Sequence, residues 1–200
     1  MRIVLCPGMH AEAVTTAFAR SLQFPSPPST FPAGTQPVYS PQHVLAWLRS
    51  CAAPSQGLCV LAFSAGVVGA LGAVRVLYRE GIPIRAFIAL DGWGVPLQEP
   101  FPTHRLSHDQ FTHYSSRLLD SPASSGEAHF YAEPAVEHLA LWRSPHQVSG
   151  WQVCQDAAEQ GPNKRKTTAA SFIEELLQRY TGPVREPVQP KLLSSDEPIR

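Results

Sequence analysis

One stretch constrains this chain more than any other: Leu58-Cys59-Val60-Leu61-Ala62-Phe63-Ser64-Ala65-Gly66-Val67-Val68-Gly69-Ala70. Its first half is a short, unbroken apolar run of the kind that makes a fully buried strand. The run stops at a serine, small residues follow, and a long helical pattern begins at once. A strand that turns directly into a helix leaves the residue at the bend projecting from the carboxyl edge of its sheet. The side chain there lies beside the free N–H groups of the helix start. Ser64 is therefore placed as an exposed hydroxyl nucleophile, with the N–H of Ala65 available to hold an oxyanion. The bend is tight, so Gly66 is expected to let the helix approach the neighbouring strand, and Ala62 supplies a small residue just before the turn.

The flanking segments repeat the alternation of strand and helix. Ile3-Val4-Leu5-Cys6, broken by Pro7-Gly8, reads as a buried strand followed by a helix over about 10–22, with Val14, Phe18 and Leu22 on one face. Residues 24–37 are rich in Pro and Ser and read as a loop, Val38-Tyr39-Ser40 as a brief strand, and Pro41 as the first residue of a helix capped by Ser40. A helix over about 65–79 follows the serine. Its glycines do not form a phosphate-cradling pattern, which ranks a nucleotide-binding domain last. Ile84 to Leu90 reads as the next core strand, ending at Asp91-Gly92-Trp93-Gly94. A carboxylate there shares a sheet edge with Ser64, the edge where open parallel sheets bind ligands. An ordinary Asp-Gly turn is the plainer alternative.

The motif Ala62-Phe63-Ser64-Ala65-Gly66 resembles the nucleophile elbow of the α/β-hydrolase family, whose usual form is G-x-S-x-G, with alanine in place of the first glycine. The resemblance covers roughly residues 2–180. It implies an α/β fold, a doubly wound and mostly parallel sheet with helices on both faces. It implies a single domain over 1–180, with a cap-like excursion at about 95–125. It further implies acyl transfer to water with no cofactor and no metal, Asp91 as the acid orienting a histidine, and a second oxyanion N–H from Met9 or His10. Most members carry the acid one strand later and some carry it at this position.

The histidine stays open at this level. Ala128-His129-Phe130-Tyr131 and His138-Leu139-Ala140-Leu141-Trp142 read as two closing strands, yet residues 132–137 are too few for a parallel crossover. The pair is then a hairpin, or one strand is false. A parallel second strand delivers His146 to the catalytic edge, whereas an antiparallel one favours His138. His108 is a further candidate, within an excursion whose helix is expected near 107–119. His108, Asp109 and His113 lack the i, i+4 pairing of the helical zinc motif, so substrate contact or plain surface histidines are the readings preferred there.

Residues 149–166 read as polar and irregular, 168–180 as an amphipathic helix presenting Phe172, Ile173, Leu176, Leu177 and Tyr180, and 181–200 as a Pro-rich disordered tail. Lys+Arg and Asp+Glu balance at 16 each, which gives no global field for nucleic acid. No apolar stretch is suited to cross a bilayer, the amino terminus lacks a signal-peptide pattern, and the four cysteines form no C-x-x-C pair. A cytoplasmic setting is the simplest expectation. The reading with most support is a serine esterase or lipase-like hydrolase acting on a small-molecule ester or lipid-like substrate. A catalytically inactive binding or scaffold protein of the same fold is the alternative.

Overall fold

The computed structural model describes residues 1–51, 57–92, 94–118, 128–154 and 163–181. Trp93 and, apart from Thr181, the tail expected over 181–200 lie outside the described residues. Among the described residues, eight strands form one sheet: β1 (Arg2–Cys6), β2 (Ser29–Thr30), β3 (Leu58–Phe63), β4 (Ile84–Leu90), β5 (Thr103–Ser107), β6 (Ala128–Ala132), β7 (Ser149–Cys154) and β8 (Asn163–Thr168). Their order across the sheet is β2-β1-β3-β4-β5-β6-β7-β8. Pairing is parallel from β2 through β6, and antiparallel for β6 with β7 and β7 with β8.

The central strands are buried on both faces, which is why β1, β3 and β4 are nearly continuous apolar runs. One face carries Ile3, Leu5, Leu61, Phe63, Ile88, Leu90, Leu106 and Phe130. It is covered by α1 (Glu12–Ser21), α5 (Ala140–Arg143) and α6 (Ala169–Thr181) through Phe18, Trp142, Phe172 and Ile173. The other face carries Val4, Val60, Ala62, Phe87 and Ala89 beneath α2 (Pro41–Cys51) and α3 (Ala65–Arg79). The register opposes Ala89 to Arg105 and Arg105 to His129, so α4 (Gln110–Arg117) packs on that same side, over β5 and β6.

Several sequence-based expectations change. Val38–Ser40 is not a strand; the edge strand is the two-residue β2, inside the expected Pro/Ser loop. Thr103–Ser107, expected within the excursion at 95–125, is a fully buried strand of the sheet, and the helix expected over 107–119 begins at Gln110, where Asp109 caps it by accepting from the Thr112 N–H. The strand expected over His138–Trp142 is false. Its core is the short helix α5, whose Leu141 and Trp142 point into the core from the helix side, so the apolar cluster reflects burial rather than strand pairing. Residues 149–166, expected as irregular, supply β7 and β8. The 168–180 helix forms as α6.

Candidate active site

The loop after each of three adjacent strands brings one polar group to the same edge. The backbone ladder continues past the ends of β3 and β4, with Ser64 N–H donating to Leu90 O at 2.9 Å and Asp91 N–H to Leu106 O at 2.8 Å. Ser64, Asp91 and His108 therefore follow neighbouring strands β3, β4 and β5 in register. His138 arrives from the loop after β6, the next parallel strand. A backbone bond from Val136 N–H to His108 O at 3.0 Å ties that loop to the one carrying His108.

Ser64 has φ 53° and ψ −124°, a conformation that costs a non-glycine residue about 1–3 kcal/mol. Its side chain makes no capping bond to α3, the helix it opens. The bend is held by close packing on β1. A Cβ on Gly66 would lie 2.3 Å from Pro7 O and 2.4 Å from Cys6 O, so only glycine admits this approach. A Cβ on Gly8 would meet the Ser64 Cβ at 3.1 Å, which places the Gly8 backbone directly beside the serine. His10 N–H donates to Gly8 O at 3.1 Å. The His10 ring stacks on Phe63 with both nitrogens unpartnered, and burial lowers its pKa.

Asp91 also has positive φ, 49°, and is buried. Its Oδ1 accepts from the His108 N–H at 2.9 Å, while its Oδ2 faces His108 Nδ1 at 2.9 Å and His138 Nδ1 at 2.8 Å. Burial works to raise the Asp91 pKa, but the hydrogen bonds from His108 and His138 outweigh it and hold the carboxyl below its ordinary value. The same bond to Asp91 raises the His108 pKa. The two rings differ at their far nitrogens. His108 Nε2 lies 3.3 Å from Asp109 Oδ2, so this ring sits between two carboxylates. The His138 ring lies stacked on Phe63, the residue before the serine, with centroids 4.7 Å apart.

Ser64, Asp91, His108 and His138 line one pocket of about 500 Å³, whose apolar wall includes Val68, Val95 and Phe111. The size suits a small-molecule ligand. His146 is not among the lining residues. It lies exposed on the short 3-10 helix Pro145–Gln147, because the strand that would have carried it to the catalytic edge is α5 instead. The ligand atoms of Asp91, His108 and His138 lie within 4.8 Å of one another, the one group among the described residues with the makings of a metal site. Sequence reasoning weighed His108 and His138 as alternatives and missed that both meet one carboxylate oxygen. It also missed the pocket wall from Val68 and Val95, positions without a motif, whereas Phe111 comes from the excursion expected to contact substrate.

The architecture and the position of this pocket define an α/β-hydrolase-like fold. Among solved structures, the chain is similar to YbtT, a type II thioesterase from the yersiniabactin NRPS/PKS biosynthetic pathway. The two share 12% identity at a TM-score of 0.53, over 90% of this chain and 92% of that one. A structure of a mutant of YbtT matches with the same values, 12% identity and TM-score 0.53. No family model and no curated protein matches the sequence. Among the described residues, no helix is long and apolar enough to cross a membrane.

Proposed function

We propose that this protein is a serine-dependent acyl hydrolase acting on a small or lipid-like ester or thioester. The observation that carries the reading is the bond from His138 Nδ1 to the buried Asp91 Oδ2 in a pocket that also holds Ser64. With its Nδ1 proton on Asp91, His138 keeps a lone pair on Nε2, the tautomer a general base needs. His108 is less suited, because its Nε2 is turned to Asp109.

In this mechanism Ser64 Oγ attacks the acyl carbonyl, and its proton passes to His138 Nε2. Asp91 stabilises the resulting imidazolium. The carbonyl oxygen takes the negative charge and is held by the Ala65 N–H and, from the adjacent Gly8–Met9 backbone, the Met9 N–H. The His10 N–H is turned to Gly8 O and is not the second donor. Collapse expels the alcohol or thiol, which takes the proton from His138. Water, deprotonated by the same ring, then releases the acid and restores Ser64. Val68, Val95 and Phe111 offer the acyl chain an apolar wall. The thioester option draws on the similarity to a thioesterase fold.

Turnover of a short p-nitrophenyl ester and of a short acyl thioester tests the proposal. The Ser64→Ala and His138→Ala variants are expected to lose at least a hundredfold in kcat/KM. Unchanged turnover in either variant contradicts it, as does a wild-type protein inactive on both substrates.

A further inference from the structure

We propose that Asp91, His108 and His138 also form a Zn²⁺-binding site, and that zinc there switches off the acyl chemistry of the pocket. The switching half rests on the hydrolase reading above; the binding half does not. A serine hydrolase needs one imidazole on its acid, yet Asp91 Oδ2 faces two, at 2.9 and 2.8 Å. Two histidines and one carboxylate converging on a point are a common zinc ligand set. Zinc held tetrahedrally with bonds of about 2.0–2.1 Å keeps its donor atoms roughly 3.3 Å apart. To take up that geometry the two Nδ1 atoms withdraw from Oδ2 by about half an ångström and, since the three ligand atoms are spread over up to 4.8 Å, the histidine nitrogens close on each other by up to about 1.5 Å.

Asp109 supplies an independent observation. A histidine that ligates zinc almost always donates its other ring N–H to a carboxylate or carbonyl, which fixes the ring. His108 Nε2 lies 3.3 Å from Asp109 Oδ2, and Asp109 is itself held as the cap of α4 through the Thr112 N–H. The carboxylate stands next to the ring but is not aligned as a hydrogen-bond acceptor, and it would have to turn onto the Nε2–H of a ring that ligates through Nδ1.

The proton accounting makes the two uses of the site exclusive. As a base, His138 carries its proton on Nδ1 and accepts at Nε2. When Nδ1 ligates zinc, that proton moves to Nε2, and the ring can no longer accept the Ser64 proton. His108 ligates through Nδ1 with its Nε2 on the side of Asp109 Oδ2, 3.3 Å away. Zinc also takes the carboxylate oxygen that oriented His138. No oxidation or bond cleavage is involved.

The test is equilibrium titration of the purified full-length chain with Zn²⁺ against a chromophoric chelator, beside ester turnover with and without metal. One zinc per chain is expected, at least tenfold weaker in His108→Gln and within twofold of wild type in Ser64→Ala. Turnover should fall as the site fills, and chelator should restore it. Co²⁺ in place of zinc should give the bands of a tetrahedral nitrogen and oxygen site, without a thiolate band from the free cysteines. The Co²⁺ spectrum of the wild-type chain keeps the test decisive should His108→Gln fail to fold. Absence of stoichiometric binding, binding undiminished in a folded His108→Gln, or a thiolate band overturns the proposal. Turnover that zinc stimulates and that survives in Ser64→Ala overturns the switching half. A chain that binds zinc but hydrolyses nothing when metal-free refutes the hydrolase reading and leaves the binding half standing.

Discussion

Lowering the pH should destabilise this fold steeply before any carboxylate of ordinary pKa is protonated. Three histidines are almost wholly buried where α4 and α6 pack on the sheet: His113 on α4, His104 on β5 and His129 on β6. Burial pushes His104 down to about 4 and His113 down to about 3, and it holds His129 well below its ordinary value. The cations Arg105, Arg117 and Lys164 add to the effect at His113. Unfolded, each ring titrates near 6.5. Each group is thus depressed in the fold, and contributes stability that is present above pH 6.5 and lost as pH falls. Between pH 6.5 and about 4 the unfolded chain binds more protons than the folded one. Going from pH 7.0 to 5.5 costs a little over 1 kcal/mol for each ring, about 4 kcal/mol for the three. His108, raised by Asp91, acts in the opposite direction and offsets part of that loss. Urea unfolding at the two pH values should show the midpoint falling at constant m. A midpoint that stays level or rises at pH 5.5 would refute the claim that these rings are buried neutral.

Three further outcomes follow from the site and the packing beneath it. Gly66→Ala, whose Cβ meets two backbone oxygens that cannot move away, should cost roughly 3 kcal/mol and lower Tm by about 10 °C by calorimetry. Ser64→Gly should abolish turnover yet raise stability by about 1 kcal/mol in urea melts, because glycine accepts φ 53° without strain, whereas Ser64→Ala should not stabilise. Asp91→Asn should lower kcat by about 10⁴-fold while near-UV circular dichroism shows the fold kept, since an amide holds His138 in the wrong tautomer.

The part of the molecule legible in the sequence is the part whose burial is uniform. Strands β3 and β4 and the turn at Ser64 are contiguous apolar runs ended by small or polar residues, and α6 has a single apolar face. The missed strand β5 reads Thr-His-Arg-Leu-Ser, a pattern that resembles surface, yet every residue in it is buried. Its two largest polar side chains find partners outside the strand: His104 Nε2 meets Tyr180 Oη at 2.8 Å, and Arg105 donates to Val95 O at 2.9 Å. Nothing in five residues reports such pairings. The apolar run at 139–142 misled in the opposite sense, because a short helix capping the sheet buries as much as a strand does. Read as a strand, that run leaves the choice between His146 and His138 to its direction; as a helix it puts His146 on an exposed 3-10 turn and leaves His138 in the loop after β6. That His138 joins His108 at one carboxylate goes with a loop-to-loop bond, Val136 N–H to His108 O, that spacing does not encode.

The chemistry claimed for the pocket is tested most directly by covalent labelling of the metal-free protein with a fluorophosphonate, followed by mass-spectrometric mapping of the modified peptide. One label per chain is expected, on Ser64, with the rate reduced at least a hundredfold in His138→Ala and unaffected by His146→Ala. A wild-type chain that stays unlabelled, or one that carries its label on another residue, would contradict it.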